Sequence, residues 1–336
     1  MTDAFAIHGG RLSQAQRQFP DAPAPWIDLS TGINPHPYPA RPASAQARSR
    51  LPDPEETGAL EAAAARAFGV SADGVLATAG AEAAIRLLAA TLALRRVAIA
   101  EPTYGGHGEA WGAAGARVTG VGRDDLRAAA QACDGLVAVN PNNPDGAFTR
   151  SETLAELASE LAAHDGWLIV DEAFIEASEM SGVGRDPWPA ERLVALRSFG
   201  KFYGLPGLRL GFVTAHPDLI TRLRRRLGEW PVSADAIAAG LQAYADDAWA
   251  TRTRRDLAAA AQRLDGLLIQ AGFKVLGGLS LFRLAAAPDA ARRFTRLAQA
   301  GVLTRPFDKA PTWLRFGLPA ADDWPRVEAA LLESGS

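Results

Sequence analysis

The stretch Ser198-Phe199-Gly200-Lys201-Phe202-Tyr203-Gly204-Leu205-Pro206-Gly207-Leu208-Arg209 decides the fold. Lys201 is one of three lysines in 336 residues, and arginine supplies almost every other cationic position. A lysine amine can deprotonate and attack a carbonyl, whereas an arginine guanidinium cannot. The spacing of Ser198, Lys201 and Arg209 therefore suits a Schiff-base lysine beside a phosphate-binding shell, in which arginine makes a bidentate or near-bidentate contact. The alternative for Lys201 is an ordinary surface lysine.

Helical and strand patterns alternate on both sides of this stretch, from about residue 55 onwards. The predicted strands are short, mostly apolar runs at 75–78, 97–101, 117–121, 136–140, 167–171, 194–198 and 210–214. Helical patterns such as 55–68, 81–94 and 151–163 separate several of them. Alternation of this kind predicts an α/β domain with a mainly parallel sheet.

The two ends of the chain differ from this central region. Residues 1–50 are rich in Pro, Ala and Arg, which predicts an extended arm. After predicted helices at 217–227, 234–246 and 249–271, short strands at 274–276, 281–284, 302–305 and 314–318 accompany helices at 288–300 and 321–332. We therefore expect an N-terminal arm (1–50), a large cofactor-binding domain (51–230), and linker helices with a small α+β domain (231–336).

The overall composition excludes several classes of function. A content of 48% apolar and 22% charged residues is typical of globular proteins, and a net charge of −3 gives no basic field for nucleic acid. Cys133 is the only cysteine, which favours a reducing compartment, and the five histidines show no metal-ligand spacing. We expect no signal peptide, no membrane span and no metal, and hence a cytoplasmic protein.

Three further segments carry groups that could bind a cofactor. Gly80-Ala81-Glu82 follows a predicted strand and begins a helix, so its free backbone N–H groups could bind phosphate, although in isolation a plain loop-to-helix turn is the better explanation. The turn after the strand at 136–140 contains Asn143, which could donate to a phenolate-type oxygen, and a simple turn explains this segment equally well. Asp171 ends a buried strand, where a pyridinium N–H would pair with its carboxylate; a helix-capping role is the alternative.

Each segment alone is a weak signal, but their occurrence together in this order along the chain is a specific pattern. Asn140-Pro141-Asn142-Asn143-Pro144-Asp145-Gly146, Asp171-Glu172-Ala173-Phe174 and the Lys201 stretch resemble the class I/II aminotransferase family, in its histidinol-phosphate aminotransferase branch, over nearly the whole chain. The resemblance implies fold type I with a mainly parallel seven-stranded sheet, a homodimer and the cofactor pyridoxal 5'-phosphate (PLP). It also implies that Tyr104 stacks on the pyridine ring and that Lys201 forms the Schiff base. The expected cofactor-binding residues are Gly80, Ala81, Glu82, Tyr104, Asn143, Asp171, Ser198, Lys201 and Arg209.

The N-terminal arm narrows the resemblance. His8-Gly9-Gly10 and the segment Asp28-Leu29-Ser30-Thr31-Gly32-Ile33-Asn34-Pro35 are similar to the threonine-phosphate decarboxylases of cobalamin biosynthesis. The similarity implies decarboxylation of L-threonine O-3-phosphate to (R)-1-aminopropan-2-ol O-phosphate. The expected substrate-binding residues are His8, Gly9, Ser30, Asn34, Arg305 and Arg315. Of these, Arg315 is implied to bind the carboxylate, and we hypothesise that Arg305 binds the phosphate.

Two positions depart from the family pattern. Phe174 stands where most relatives have a tyrosine that donates to the cofactor's phenolic oxygen, which makes transamination less expected. Leu51 stands where many relatives have a tyrosine that reaches the cofactor phosphate across the dimer. Two other functions stay open: an aminotransferase acting on a phosphorylated amino acid such as histidinol phosphate, and a non-catalytic PLP-binding protein.

Overall fold

The computed structural model describes Phe5, residues 8–180, Gly182, Val183 and residues 191–335. The first residues of the predicted arm, 1–4 and 6–7, therefore lie outside the described residues. The chain divides into two compact units. The sheet unit comprises Tyr38–Asn143 and Ala147–Ala250, and the terminal unit comprises Met1–Pro37, Pro144–Gly146 and Thr251–Ser336.

Helices and strands alternate along most of the described chain. The α-helices, labelled α1 to α13 in chain order, are Leu12–Gln18, Ala45–Arg48, Pro54–Phe68, Ala81–Leu92, Gly106–Ala113, Leu126–Ala132, Ser151–Ala162, Phe199–Phe202, Pro217–Leu227, Ala234–Ala243, Asp247–Gln270, Ala290–Gln299 and Trp324–Gly335. The strands β1 to β13 are Ile27–Asp28, Val75–Thr78, Arg96–Ala100, Arg117–Val121, Gly135–Val139, Trp167–Asp171, Leu193–Ser198, Gly211–Ala215, Lys274–Leu279, Phe282–Ala286, Val302–Leu303, Arg305–Pro306 and Trp313–Gly317. None of the described helices is long and apolar enough to cross a membrane.

A seven-stranded sheet with the order β2-β8-β7-β6-β5-β3-β4 forms the centre of the sheet unit. The pairs β3–β4, β3–β5, β5–β6 and β6–β7 are parallel, and β8 is antiparallel to both of its neighbours. The predicted α/β class with a mainly parallel sheet is confirmed. Its central strands are apolar on both faces because helices cover both.

The core of the sheet unit lies on the two faces of this sheet. Val137 and Ile169 belong to one apolar cluster, together with side chains of α4 and α9. The adjacent Leu136 and Leu168 belong to a second cluster, together with side chains of α6 and α7. Alternate residues of a strand point to opposite faces, so one apolar run fills both clusters. This packing fixes the strand ends that carry the polar side chains described below.

The terminal unit contains a four-stranded antiparallel sheet, β12-β13-β10-β9. The arm, which we expected to be only extended, contributes α1 and also β1, which pairs in parallel with β11. The single strand predicted at 302–305 is divided at Thr304, because β11 pairs with β1 whereas β12 pairs with β13. This division places Arg305 at the start of a different sheet from Leu303.

The two compact units have boundaries near residues 37 and 250. Helix α10 belongs to the sheet unit, where a Cβ added to Gly240 would lie 2.4 Å from Leu60 of α3. The segment after Pro37 also belongs there, since the Arg41 backbone N–H donates to Gln242 at 3.0 Å and Arg48 pairs with Asp235 at 2.8 Å. Direct contacts of this kind, which local sequence patterns do not encode, set the division.

Candidate active site

The residues selected from the sequence as cofactor ligands lie at one edge of the seven-stranded sheet. Strands β2, β3, β5, β6 and β7 all run in one direction, because β2 and β7 are both antiparallel to β8. Gly80, Tyr104 and Asn143 follow the carboxyl ends of β2, β3 and β5, while Asp171 and Ser198 are the last residues of β6 and β7. In open α/β sheets this edge is where ligands bind.

A cradle of backbone and guanidinium donors forms around Gly80. This glycine has φ +89°, and an added Cβ would lie 2.6 Å from Nη2 of Arg209, so the cradle requires glycine. Gly211 pairs with Ser198, and a Cβ there would lie 2.5 Å from the backbone nitrogen of Ala81. Ser198, Arg209 and the N-terminus of α4 are therefore brought together. Free helix N–H groups beside a guanidinium are suited to a phosphate.

Asp171 is a buried acid, 3% exposed, with an organised set of partners. One carboxylate oxygen accepts the Ala173 N–H at 2.9 Å, and the other lies 2.9 Å from Nε2 of His107, which is fully buried. A buried carboxylate needs such partners to be stable. His107 was not selected from the sequence, because it forms no metal-ligand spacing and belongs to none of the motifs quoted above. Its position three residues after Tyr104, at the start of α5, was the available signal.

Tyr104 is held against the start of α4. Its hydroxyl donates to Oε2 of Glu82 at 3.2 Å, and burial together with the Glu82 charge raises the pKa of this tyrosine. Its ring meets the His107 imidazole edge-on, with the two centroids 6.3 Å apart. Glu82 also forms an ion pair with Arg86 at 2.8 Å, so its carboxylate contacts both Tyr104 and Arg86. Its backbone N–H remains the group suited to the phosphate cradle.

The turn containing Asn143 is fixed by two other asparagines. Asn140 exchanges two hydrogen bonds with the backbone of Thr149, at 2.8 and 3.0 Å. Asn142 accepts from the Thr103 hydroxyl at 2.7 Å and donates to the Pro102 carbonyl at 2.9 Å. These contacts join the turn to the segment that precedes Tyr104. They place Asn143, 7% exposed, at the same edge of the sheet.

Lys201 lies in the short helix α8, directly after β7. Its Nζ is 5.7 Å from the centroid of the Phe174 ring. The flanking aromatic residues are packed, with Phe199 stacked on Tyr203 at 4.5 Å and Tyr203 stacked on Trp249 at 5.6 Å. This aromatic packing fixes the backbone that carries the lysine.

The terminal unit contains the two arginines selected as substrate ligands. Arg305 and Arg315 lie directly opposite each other on β12 and β13, and both are buried, at 8% and 3% exposure. Burial and the charge of Arg305 lower the pKa of Arg315. Like charges directly opposite on paired strands are unfavourable, and anionic groups bound between them would relieve the repulsion.

The other selected residues of the terminal unit surround Ser30. The Ser30 hydroxyl accepts the Gly10 N–H at 2.7 Å, and a Cβ added to Gly9 would lie 2.3 Å from the Ser30 carbonyl oxygen. Nη2 of Arg315 donates to the same carbonyl at 2.7 Å. The side-chain oxygen of Asn34 accepts the His36 N–H at 2.9 Å, so it stabilises a turn. His8 is half-buried at the start of the glycine pair.

The residues of the sheet unit fit PLP. The cradle around Gly80 offers phosphate donors, Asp171 offers a buried carboxylate for a ring nitrogen, and Lys201 offers an amine near Phe174. The described residues contain no group of three or more His, Cys, Asp or Glu that could hold a metal ion.

Known proteins resemble this chain along most of its length. Residues 24–331 match the family model described as aminotransferase class I and II. The threonine-phosphate decarboxylase of Pseudomonas aeruginosa is 39% identical over 97% of this chain and 97% of its own length. A threonine-phosphate decarboxylase of Sinorhizobium sp is 37% identical over 93% of each chain. The solved histidinol-phosphate aminotransferase of Sinorhizobium meliloti, in complex with pyridoxal-5'-phosphate, aligns with a TM-score of 0.82 at 21% identity, over 96% of this chain and 94% of that one.

Proposed function

Because this chain belongs to the class I and II aminotransferase family, we propose that it is a PLP-dependent decarboxylase of L-threonine O-3-phosphate. The product would be (R)-1-aminopropan-2-ol O-phosphate, the linker of the cobalamin nucleotide loop. The two threonine-phosphate decarboxylases at 39% and 37% identity support this assignment. The substrate class, a phosphorylated amino acid, also fits the charges of the terminal unit.

The observation that carries the proposal is the pair of opposed, buried arginines. Arg305 and Arg315 together present two guanidinium groups, each able to bind a carboxylate or a phosphate through parallel N–H donors. L-Threonine O-3-phosphate carries one carboxylate and one phosphate, so it can satisfy both. Histidinol phosphate carries a phosphate but no carboxylate, so it offers this pair one anionic group instead of two.

The cofactor residues each have a defined task. When bound, PLP supplies an electron sink for the electrons released at the substrate Cα. Ser198, Arg209 and the amides of Gly80–Glu82 would hold its phosphate. Asp171 would keep the proton on its ring nitrogen, with His107 holding the carboxylate in place. Tyr104 would cover the ring and Asn143 would donate to its phenolic oxygen.

Substrate orientation would decide which bond at Cα breaks. The bond that lies perpendicular to the cofactor ring is the one weakened, so decarboxylation requires the carboxylate in that position. Arg315 would hold the carboxylate and Arg305 the phosphate, which together limit rotation about Cα. The Lys201 amine would then deliver the proton to Cα. Phe174 has no hydroxyl to donate to the cofactor's phenolic oxygen, which disfavours transamination.

A decarboxylase and an aminotransferase differ in what they need as a second substrate. The purified, PLP-loaded protein should be incubated with L-threonine O-3-phosphate in the absence of any 2-oxo acid, while carbon dioxide and aminopropanol phosphate are quantified. Multiple turnovers are expected. Absence of carbon dioxide, with amino transfer once a 2-oxo acid is added, would instead favour an aminotransferase such as the Sinorhizobium meliloti enzyme.

Three expectations from the sequence accompany the proposal. We infer that the protein acts as a homodimer with two-fold symmetry. We also infer that it is located in the cytoplasm. The arm, large domain and small domain expected from the sequence remain our proposal for how the reaction is divided along the chain, with the cofactor residues in the sheet unit and the substrate arginines in the terminal unit.

A further inference from the structure

Ser30 is the centre of a buried hydrogen-bond hub in the terminal unit. Its backbone N–H and its hydroxyl both donate to Oδ1 of Asp28, at 2.9 and 2.5 Å. Its hydroxyl oxygen accepts the Gly10 N–H at 2.7 Å, and its carbonyl accepts from Arg315 at 2.7 Å. Every polar group of this serine therefore has a partner within the protein.

The direction of these hydrogen bonds limits what Ser30 can do for a substrate. A serine hydroxyl has one proton to donate, and the short contact to a carboxylate is a charge-assisted bond. That proton is committed to Asp28. The sequence analysis assigned Ser30 to the substrate, but a substrate phosphate accepts hydrogen bonds and would need this same proton.

Asp28 was not selected from the sequence as a functional residue, although its surroundings are unusual. Burial raises the pKa of this carboxyl, while the Ser30 hydrogen bonds and the Arg315 charge act in the opposite direction. This acid is retained here in spite of its desolvation, within electrostatic range of Arg315. It offsets part of the positive charge of Arg315 and anchors the serine that contacts it.

We propose that Asp28, acting through Ser30, is a positioning residue that fixes both the Arg315 guanidinium and the Gly9-Gly10 backbone in the orientation used to bind the substrate. This geometry also explains why residue 9 is a glycine, since an added Cβ there would lie 2.3 Å from the Ser30 carbonyl oxygen. The same hub thus joins the arm to β13. The kinetic part of this inference rests on the proposed decarboxylation, whereas the structural part does not.

The test compares Ser30→Ala, Asp28→Ala and Asp28→Asn with the wild-type protein by two readouts. Hydrogen–deuterium exchange of the backbone around Gly10 should accelerate about tenfold or more in Ser30→Ala and Asp28→Ala, since a hydrogen bond that holds this amide is lost or loosened. The KM for L-threonine O-3-phosphate should rise about tenfold with a smaller change in kcat. Asp28→Asn keeps an acceptor oxygen for Ser30 and should recover a large part of both losses.

Thr295→Ala is the matched control. The hydrogen bond described for the Thr295 hydroxyl is to the Ala291 carbonyl of its own helix, so its loss should have a local effect. It should leave exchange around Gly10 and the KM unchanged. The proposal would be overturned if Ser30→Ala lost substrate affinity while exchange around Gly10 stayed at the wild-type rate, because the hydroxyl would then bind the substrate directly. If the wild-type protein released no carbon dioxide, the proposed function would fail. The exchange experiment would still test whether Asp28 and Ser30 hold the backbone around Gly10.

Discussion

The backbone around Gly80 and Arg209 is strongly constrained. Gly80 has φ +89° and Arg209 has φ +52°, both in the left-handed region. Arginine adopts this region at a cost of about 1–2 kcal/mol, and glycine at little cost. Strain of this kind persists only where the surrounding structure enforces it. At Arg209 it aims the guanidinium at the backbone of Gly80, where an added Cβ would lie 2.6 Å away.

Gly80→Ala is therefore expected to weaken PLP binding by about tenfold or more, because its Cβ would displace Arg209 and its φ would be strained. The measurement is a titration of the cofactor-free protein with PLP, followed by absorbance. Gly58→Ala is the control, since no atom lies within 4 Å of its added Cβ in helix α3. It should bind PLP normally and raise the free energy of unfolding by about 0.5–1 kcal/mol. Normal PLP affinity in Gly80→Ala would show that the cradle does not bind the phosphate.

The two arginines of the terminal unit are expected to have separable roles. Arg305→Ala should reduce kcat/KM for L-threonine O-3-phosphate about a hundredfold, since a charge-assisted contact to phosphate is lost. The same change should reduce activity on L-threonine much less, because L-threonine has no phosphate. Steady-state kinetics on both substrates give the comparison. An equal loss on both would contradict the assignment of Arg305 to the phosphate and leave Arg315 unassigned as well, since they are neighbours on β12 and β13.

Sequence reasoning at this scale found residues that belong to motifs and missed residues that support them. Lys201, Asp171 and Arg209 were recognisable because their chemistry and spacing are specific. His107 and Asp28 were not, because what distinguishes each is a contact with a residue that is selected on other grounds. The position of a single histidine or aspartate in the sequence is at most a weak signal. Only the folded chain shows that His107 lies 2.9 Å from Asp171.

A buried ion cluster joins three elements behind the cofactor-binding edge. Glu172 follows β6, Arg197 lies in β7, and Glu176 lies in the short 3-10 turn Ile175–Ala177. Arg197 contacts the two carboxylates at 2.9 and 3.1 Å. Glu172 also accepts the Val183 N–H at 2.6 Å. The cluster thereby holds the chain in place on both sides of Phe174. It also restrains Asp171 and Ser198, which are adjacent in sequence to Glu172 and Arg197.

Deprotonation of Glu172 should lower the free energy of unfolding as the pH rises. Burial raises the pKa of Glu172 from 4.5 to about 7, and the negative charge of Glu176 acts in the same direction, whereas the charge of Arg197 lowers it. The folded protein therefore holds this proton more tightly than the unfolded chain, so the free energy of unfolding decreases from pH 4.5 to 7. Glu172→Gln, which does not titrate, should remove about 1–3 kcal/mol of this decrease. Urea unfolding at pH 5 and pH 8 measures it.

The control for this change is Glu152→Gln, an exposed acid in the first turn of α7. It should leave the pH dependence of unfolding as it is in the wild-type protein. An unchanged pH dependence in Glu172→Gln would mean that Arg197 keeps Glu172 ionised throughout this range. The cluster would then be a fixed structural ion pair with no titrating member.

Prediction at the level of elements succeeded where the pattern was local. The strands at 75–78, 117–121 and 167–171 and the helix at 217–227 have the bounds read from their apolar runs. Helices α5 and α6 were missed, since glycine in one and the short alanine run in the other give weak periodicity. Strand β1 was missed because two residues form it only by pairing with β11. Such pairing between distant segments carries no local signal.

At the scale of the whole molecule, the exposed Leu51 is the residue that bears on assembly. It is 61% exposed, directly before the capping box in which Asp53 and Glu56 fix the start of α3. Arg50 pairs with Glu56 at 2.6 Å, so the backbone on both sides of Leu51 is held. An apolar side chain displayed on a fixed segment is suited to a contact with another chain. The family resemblance implies that a tyrosine at this position would reach the cofactor phosphate of a neighbouring subunit.

If the protein is a homodimer of that kind, Leu51→Tyr should restore the missing hydroxyl contact and tighten PLP binding by about tenfold or more, the value of one hydrogen bond to a charged group. Leu51→Phe is the matched control, since it adds the ring without the hydroxyl and should leave the affinity near the wild-type value. PLP titration of all three proteins, with the mass of each measured by light scattering, separates the effects. Equal affinities for the tyrosine and phenylalanine variants in a confirmed dimer would mean that residue 51 does not face the cofactor. A monomeric mass with full PLP affinity would mean that one chain completes the phosphate cradle alone, as the convergence of Ser198, Arg209 and the start of α4 already allows.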